Sequence, residues 1–261
     1  MNDAPYPHPL FDLTGRIALV TGSSRGIGFE LARALASAGA RVVLNGRGGE
    51  TLARAAEAFA AQGPAAAGTA PFDVTDETGA VSAIDRIERE LGPIDILVNN
   101  SGINLRRPLL EFDTADWERL IATNLTGPFM VGRAVARHMV TRGRGKIINV
   151  CSINSELARA SITPYVTSKG GLKNLTKGMA VEWARHNIQV NGLGPGYFAT
   201  EMTAVLAADP AFDAWLRQRV PMGRWGRLEE LGGAVVFLAS PASDFMTGQV
   251  LYIDGGLTAS T

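Results

Sequence analysis

A single cysteine and three histidines in 261 residues leave no material for a disulfide framework or a Cys/His metal cluster, so no catalytic metal is expected. The chain also lacks a charge surplus. Its 25 Lys and Arg stand against 25 Asp and Glu, which removes the long-range positive field that gathers nucleic acid or anionic lipid. No apolar run reaches the ~20 residues of a membrane-spanning helix, and residues 1–9 carry neither the basic nor the apolar stretch of a secretory signal. These absences point to a small-molecule partner, no nucleic acid and no membrane, in a reducing cytoplasm that suits the lone Cys151. That cysteine ends the apolar run Ile147-Ile148-Asn149-Val150-Cys151, where a thiol behaves as a small hydrophobe. Prolines 5, 7 and 9 break residues 1–12 into an expected flexible arm, and 13–261 is long enough to bury one core as a single domain.

Against those absences stands an apolar content of 46%, set out in strand-length runs that alternate with amphipathic stretches of helix length. Ile17-Ala18-Leu19-Val20 reads as a first strand. Ile27, Leu31, Leu35 and Ala38 then recur at helical spacing until Gly39, where a helix would stop. The second strand falls at 41–44, followed by an alanine-rich helix over 51–62 closed by Gly63-Pro64, and a third strand falls at 70–74. Val81, Ile84, Ile87 and Leu91 make the next helical stripe, ended by Gly92-Pro93, before a strand at 94–98. The pattern then predicts a long helix over 114–140, a strand over 146–150, a helix over 163–186 and a strand at 188–191. Between Gly194 and Gly226, prolines and exposed-looking aromatics interrupt the alternation and mark a substrate-covering insertion near 195–226. A helix at 229–238 and a strand at 249–254 follow. The whole predicts an α/β fold, a doubly wound parallel seven-stranded sheet with helices on both faces.

The turn Thr21-Gly22-Ser23-Ser24-Arg25-Gly26-Ile27-Gly28 joins the first strand to the first helix. Backbone amides and the helix dipole favour a bound pyrophosphate there, and the glycines let it come close. Three residues between Gly22 and Gly26, and one between Gly26 and Gly28, set the turn apart from the commoner G-x-G-x-x-G spacing. At the end of the second strand a carboxylate would hold ribose hydroxyls and repel a 2′-phosphate, but Leu44-Asn45-Gly46-Arg47 offers none. Arg47 and Arg25 can pair with a phosphate instead, which predicts NADP(H); the competing reading makes both solvated surface charges.

Tyr165 and Lys169 share one face of a predicted helix. A free tyrosine ionises near pH ~10, so proton transfer near neutrality asks the surroundings for about 4 kcal/mol in favour of phenolate. The Lys169 ammonium, with the positive ring of an oxidised nicotinamide, is the expected source. Ser152, at the carboxyl end of the fifth strand, can donate to the alkoxide that forms as a carbonyl is reduced. Hydride transfer between NADP(H) and a carbon bearing a hydroxyl or carbonyl is the chemistry these residues suit.

From about Leu13 onward the chain resembles the short-chain dehydrogenase/reductase family. The likeness rests on Thr21-Gly22, Gly26 and Gly28, on Asp73, on Asn99-Asn100-Ser101-Gly102, on Ser152, Tyr165 and Lys169, and on Pro195-Gly196. It implies a Rossmann-type fold in which Gly22, Ser24, Arg25, Gly26, Ile27, Gly28 and Arg47 meet the phosphates. Asp73 and Val74 would hold the adenine, and Asn100, Ser101 and Gly102 the adenosine ribose. Pro195, Gly196, Phe198 and Thr200 would meet the nicotinamide end, and Lys169 its ribose. Asn124 would join the catalytic group through a water that relays protons to Lys169, and a homotetramer would form through the helices at 114–140 and 163–186 and the last strand. Ser101 departs from the alanine usual in the family.

Non-catalytic segments, among them Ser155-Glu156-Leu157-Ala158-Arg159 and Gly223-Arg224-Trp225-Gly226, resemble the sugar-acid branch that interconverts gluconate and 5-ketogluconate. A 3-oxoacyl-thioester reductase or a broad carbonyl reductase shares the same catalytic motifs. Beside Ser152 and Tyr165, the expected substrate contacts are Asn154, Arg106, Arg107, Glu156 and Arg159; the alternative for each charge is a solvated loop position or a subunit contact. Ile153-Asn154, Gly194 and Val220-Pro221-Met222 depart from that branch near the pocket.

Overall fold

The computed structural model describes residues 8–63 and 66–260. Among them seven strands form one sheet: β1 (Ile17–Val20), β2 (Arg41–Gly46), β3 (Gly68–Pro71), β4 (Ile94–Asn99), β5 (Gly145–Val150), β6 (Ile188–Pro195) and β7 (Val250–Ile253). Their spatial order is β3-β2-β1-β4-β5-β6-β7, and every neighbouring pair is parallel. Around the sheet lie α1 (Gly26–Ser37), α2 (Gly49–Ala60), α3 (Glu77–Glu90), α4 (Thr114–Ile121), α5 (Gly127–Arg142), α6 (Thr163–Trp183), α7 (Ala204–Ala207), α8 (Pro210–Arg219) and α9 (Gly232–Ala239).

The strands read as unbroken apolar runs because both faces of the sheet are covered. Ala18, Val20, Val42, Leu44 and Ile148 join Leu31 and Leu35 of α1 and Val235 and Leu238 of α9 in one cluster. Their neighbours Ile17, Leu19, Val43, Leu97 and Ile147 point the other way, onto Ile84 of α3, Val135 of α5 and Met179 of α6. Each such Val, Leu, Ile or Met side chain, fully buried, stabilises the fold by roughly 1.5–3 kcal/mol. The expected doubly wound sheet is therefore the observed one.

Several boundaries differ from the expectation, each for a local reason. The third strand runs over Gly68–Pro71 rather than 70–74, because Asp73 accepts the Thr75 N–H at 2.9 Å and turns the chain. The long helix expected over 114–140 is interrupted by a single π turn, Ala122–Thr126. An α-helix would pair the carbonyl of Asn124 with the N–H of residue 128, and Pro128 has none. The sixth strand extends beyond 188–191 to Pro195 and carries its end to the site. The helix before it stops at Trp183, then turns through Ala184–His186 to Asn187 in the left-handed region. The helix expected at 229–238 begins later, at Gly232, after a 3₁₀ turn at Leu228–Leu231. Of the arm expected over 1–12, residues 1–7 lie outside the described residues, as does Pro64; Pro9–Phe11 make one exposed 3₁₀ turn.

Candidate active site

The chain leaves β1 toward β2 on one side and reaches β4 on the other, and beyond the carboxyl ends of these strands opens a cleft of about 940 Å³. Its walls bring together every residue expected at the cofactor. They comprise Gly22, Ser24, Arg25, Gly26, Ile27 and Gly28 from the first turn, Arg47 after β2, Asp73 and Val74 after β3, and Asn100, Ser101 and Gly102 after β4. Tyr165 and Lys169 of α6 and Pro195, Gly196, Phe198 and Thr200 at and after the end of β6 complete them.

Two loops meet closely where the glycines stand. Gly22 turns at φ +61°, and a Cβ on it would lie 2.8 Å from Ser101 Oγ; one on Gly28 would lie 2.3 Å from Asn100 Nδ2. The Asn100 amide donates to the carbonyls of Thr21 and Gly22 at 2.9 and 3.1 Å, while Thr21 Oγ1 accepts the N–H groups of Asn100 and Ser101. Asn45, which sequence reasoning passed over, fixes the other flank. Buried in β2, it accepts the Gly22 N–H at 3.0 Å and donates to the carbonyls of Ala70 and Phe72. A polar residue inside an apolar strand must be satisfied by something nearby, and that was the available signal.

The free N–H groups and positive dipole end of α1 open on this cleft at Gly26, Ile27 and Gly28, so the cradle suits a pyrophosphate. Gly46 ends β2 without a carboxylate. Arg25 meets Glu201 at 3.0 Å and Arg47 lies 4.0 Å from Asp73, both arginines and Glu201 being well exposed and Asp73 half-buried. Exposed pairs of this kind hold a cation weakly, and both guanidiniums can turn to a phosphate.

Ser152 follows β5, buried, and its Oγ accepts the Asn154 N–H at 3.1 Å, capping a short turn at Ile153–Ser155. Lys169 is buried one helical turn beyond Tyr165; its Nζ donates to the Val150 carbonyl at 2.6 Å and stands 5.7 Å from the Tyr165 ring centroid. Burial lowers the Lys169 pKa to about 8. Burial also raises the Tyr165 phenol above its ordinary value, opposed by the Ser152 hydroxyl and the charge of Arg106. The sequence reading gave Lys169 the part of lowering that phenol. In the chain alone its ammonium is turned to a main-chain carbonyl, desolvation prevails, and Tyr165 stays protonated.

Asn124 sits in the π turn, buried. Its side chain accepts the Ile103 N–H at 2.8 Å and donates to the Ile103 carbonyl at 2.8 Å and to Ser168 Oγ at 3.2 Å. Cys151 is a core group, its thiol pushed up to about 11 by burial.

Of the side chains expected at the substrate, Ser152 and Tyr165 line the cleft, and Asn154 lies on the adjoining turn, donating to the Leu157 carbonyl at 3.2 Å. Arg106 donates to the Met202 carbonyl at 3.2 Å, and the Arg159 guanidinium lies 5.0 Å over the Phe212 ring. Two of the expected contacts already hold charged partners within the chain. Arg107 is held by Asp113 at 2.9 Å and Asp116 at 3.2 Å, and Glu156 pairs with Lys173 and accepts the Tyr252 hydroxyl at 2.7 Å. Both charges are taken up within the protein. The aromatics of the insertion gather together, Trp215 still exposed, with Tyr197 edge-on to Phe212, Trp215 and Trp225 at 5.6, 6.1 and 5.9 Å between ring centroids.

A family model described as enoyl-(acyl carrier protein) reductase matches residues 22–258. Gluconate 5-dehydrogenase of Gluconobacter oxydans (strain 621H) is 59% identical over 254 residues, which cover 97% of this chain and 99% of that protein. 5-Keto-D-gluconate 5-reductase of Escherichia coli (strain K12) is 52% identical over 95% of this chain and 97% of its own. Among solved structures, a gluconate 5-dehydrogenase from Burkholderia cenocepacia J2315 in complex with NADP and tartrate superimposes with a TM-score of 0.94 at 54% identity, covering 97% of this chain and 99% of that one. Similarity of this degree, running from the glycine turn to the last strand, means that the chain belongs to the short-chain dehydrogenase/reductase family.

Proposed function

We propose that the protein transfers hydride between NADP(H) and the secondary alcohol or ketone of a sugar acid, interconverting D-gluconate and 5-keto-D-gluconate. The observation that carries this reading is the meeting of Ser152, Tyr165 and Lys169 in one cleft with the glycine turn, Arg25 and Arg47. The choice of a sugar acid draws on the two relatives at 59% and 52% identity that bear that activity in their names.

Bound NADP(H) supplies the hydride. The turn from Gly22 to Gly28, with Ser24 and Ile27, would hold its pyrophosphate, and Arg25 and Arg47 its 2′-phosphate. Asp73 and Val74 would hold the adenine, Asn100, Ser101 and Gly102 the ribose beside it, and Pro195, Gly196, Phe198 and Thr200 the nicotinamide end. Ser152 Oγ donates to the substrate carbonyl oxygen and steadies the negative charge that develops there. Tyr165 gives that oxygen its proton, and takes one from the alcohol in the reverse direction. Burial holds the phenol protonated, so the resting chain is prepared for reduction. Lys169, charged below about pH 8, stabilises the phenolate left behind and would bond the nicotinamide ribose. The Asn124 carbonyl, released from the helical ladder by Pro128, would hold the water that returns a proton to Lys169. Asn154, Arg106, Arg107, Glu156 and Arg159 are the remaining candidate substrate contacts.

The reading extends to a homotetramer working in the cytoplasm. Phe129 on α5 and Val181 on α6 carry exposed apolar side chains on the two helices the resemblance assigns to an interface, Val181 at 81% exposure. A second reading, reduction of a 3-oxoacyl thioester, draws on the description of the matching family model. Incubation with NADP and gluconate decides the carbon attacked: 5-ketogluconate and an equal amount of NADPH are expected, and oxidation at another carbon or no NADPH would contradict the proposal.

A further inference from the structure

We propose that Arg159 recognises the carboxylate of the substrate and, through Phe212, ties that contact to the segment covering the site; the inference rests on the sugar-acid reading above. Arg159 lies on the loop between the Ser152 turn and α6. Its Nε is buried and has no hydrogen-bond partner among the described residues. Most guanidiniums near it in the chain or the site are already neutralised: Arg107 by Asp113 and Asp116, Arg217 by Asp213, Arg224 by Glu230. Among the described residues no carboxylate lies within ion-pair distance of Arg159. A half-buried guanidinium left in that state is costly unless an anion joins it.

Arg106, more exposed, likewise has no carboxylate within ion-pair distance among the described residues and donates to the Met202 carbonyl. Arg159 lies over Phe212, whose ring meets Tyr197 at 5.6 Å, and Arg106, Arg159 and Tyr197 act electrostatically on one another, so the two cations stand together near Tyr197. Their mutual repulsion is relieved by an anion between them, and a planar fork suits a carboxylate. In an extended 5-ketogluconate the carboxylate is four C–C bonds from the reacting carbon, roughly 5 Å. With C5 at Tyr165, the acid end is placed about that far from the phenol, where Arg159 is assigned to meet it.

Phe212 belongs to α8 and packs on Tyr197, Trp215 and Trp225, while its ring carries the guanidinium of Arg159 at 5.0 Å. The residue that would feel the substrate's charge therefore rests on α8, within the 195–226 segment whose first residues line the cleft. A ligand that orients Arg159 also bears on α8, whose Leu216 packs on Ile153 beside Ser152, whereas a neutral sugar lacks the means to do so.

The test compares kcat/KM, with NADPH, for 5-ketogluconate and for L-sorbose, which has the same carbon chain with a primary alcohol in place of the carboxylate. The wild-type protein is expected to prefer the acid, and Arg159→Met to cut that preference by about ten- to a hundredfold, mostly through the KM of the acid. Quenching of protein fluorescence by NADPH in the same samples verifies that the variant is folded. Arg159→Lys is expected to restore only part of the preference, since it returns the charge without the fork. Phe212→Leu, which removes the shelf and leaves the charge, is expected to lose part of it. An acid preference that survives Arg159→Met overturns the inference while leaving the sugar-acid reading intact, and one that survives Phe212→Leu overturns the tie to the covering segment. A wild-type protein that does not prefer the acid overturns the sugar-acid reading, and the inference with it.

Discussion

Removing the one oxygen at Tyr165 takes away the proton donor and leaves the cleft wall in place. Tyr165→Phe is expected to lower kcat by about 10³-fold while NADPH still binds, as read by fluorescence; turnover near that of the wild type would contradict the role given to the phenol. Lys169 supplies a pH signature. Its buried ammonium loses its proton near pH 8 instead of 10.5, so it is charged below that pH and neutral above it. NADPH affinity should hold steady at lower pH and decline above about 8, and Lys169→Met should bind more weakly without that break. At the end of β2, Gly46→Asp puts a carboxylate where the 2′-phosphate is expected. A shift of preference from NADPH toward NADH of at least about tenfold should follow; an unchanged preference would remove Arg25 and Arg47 from phosphate binding.

Among the elements, the turn that carries Ser152 depends on three others. The Tyr252 ring of β7 stands over Gly194 of β6, where a Cβ would lie 2.3 Å from the ring, and its hydroxyl donates to Glu156 just after the turn. Glu156 in turn pairs with Lys173, one helical turn beyond Lys169 on α6. Gly194→Ala pushes the Tyr252 ring aside, at a cost of about 1–3 kcal/mol and some 2–4 °C of melting temperature for each. It should lower kcat more than NADPH affinity, because Ser152 loses its support while the glycine turn does not. These dependencies mark where sequence reading stops. The strands were legible because burial on both faces leaves apolar runs, and the cofactor residues because turns after parallel strands all open on the same end of the sheet. The internal partners of Arg107 and Glu156 were not, since a loop charge takes its direction from groups that chain position does not reveal, here Asp113 and Asp116 for one, Lys173 and Tyr252 for the other. The π turn escaped because one slipped hydrogen bond barely disturbs the apolar period, although Pro128 marked the place.

At the scale of the whole molecule, the crossing order of the sheet sets a phosphate cradle and a proton donor in one cleft, and a segment outside the sheet supplies part of the wall. Assembly belongs to this scale as well. Light scattering after size exclusion should give the mass of a tetramer, and Val181→Glu should shift it toward smaller species, since a charge buried in an apolar interface is costly; a wild-type monomer would contradict the assembly. Substrate class is the remaining whole-molecule property, because the cradle and the catalytic group serve a sugar acid and a thioester alike. The measurement that separates them is kcat/KM with NADPH for 5-keto-D-gluconate against that for an acetoacetyl thioester, on the same preparation. The sugar acid is expected to be favoured by at least about a hundredfold, and faster reduction of the thioester would contradict the proposed function.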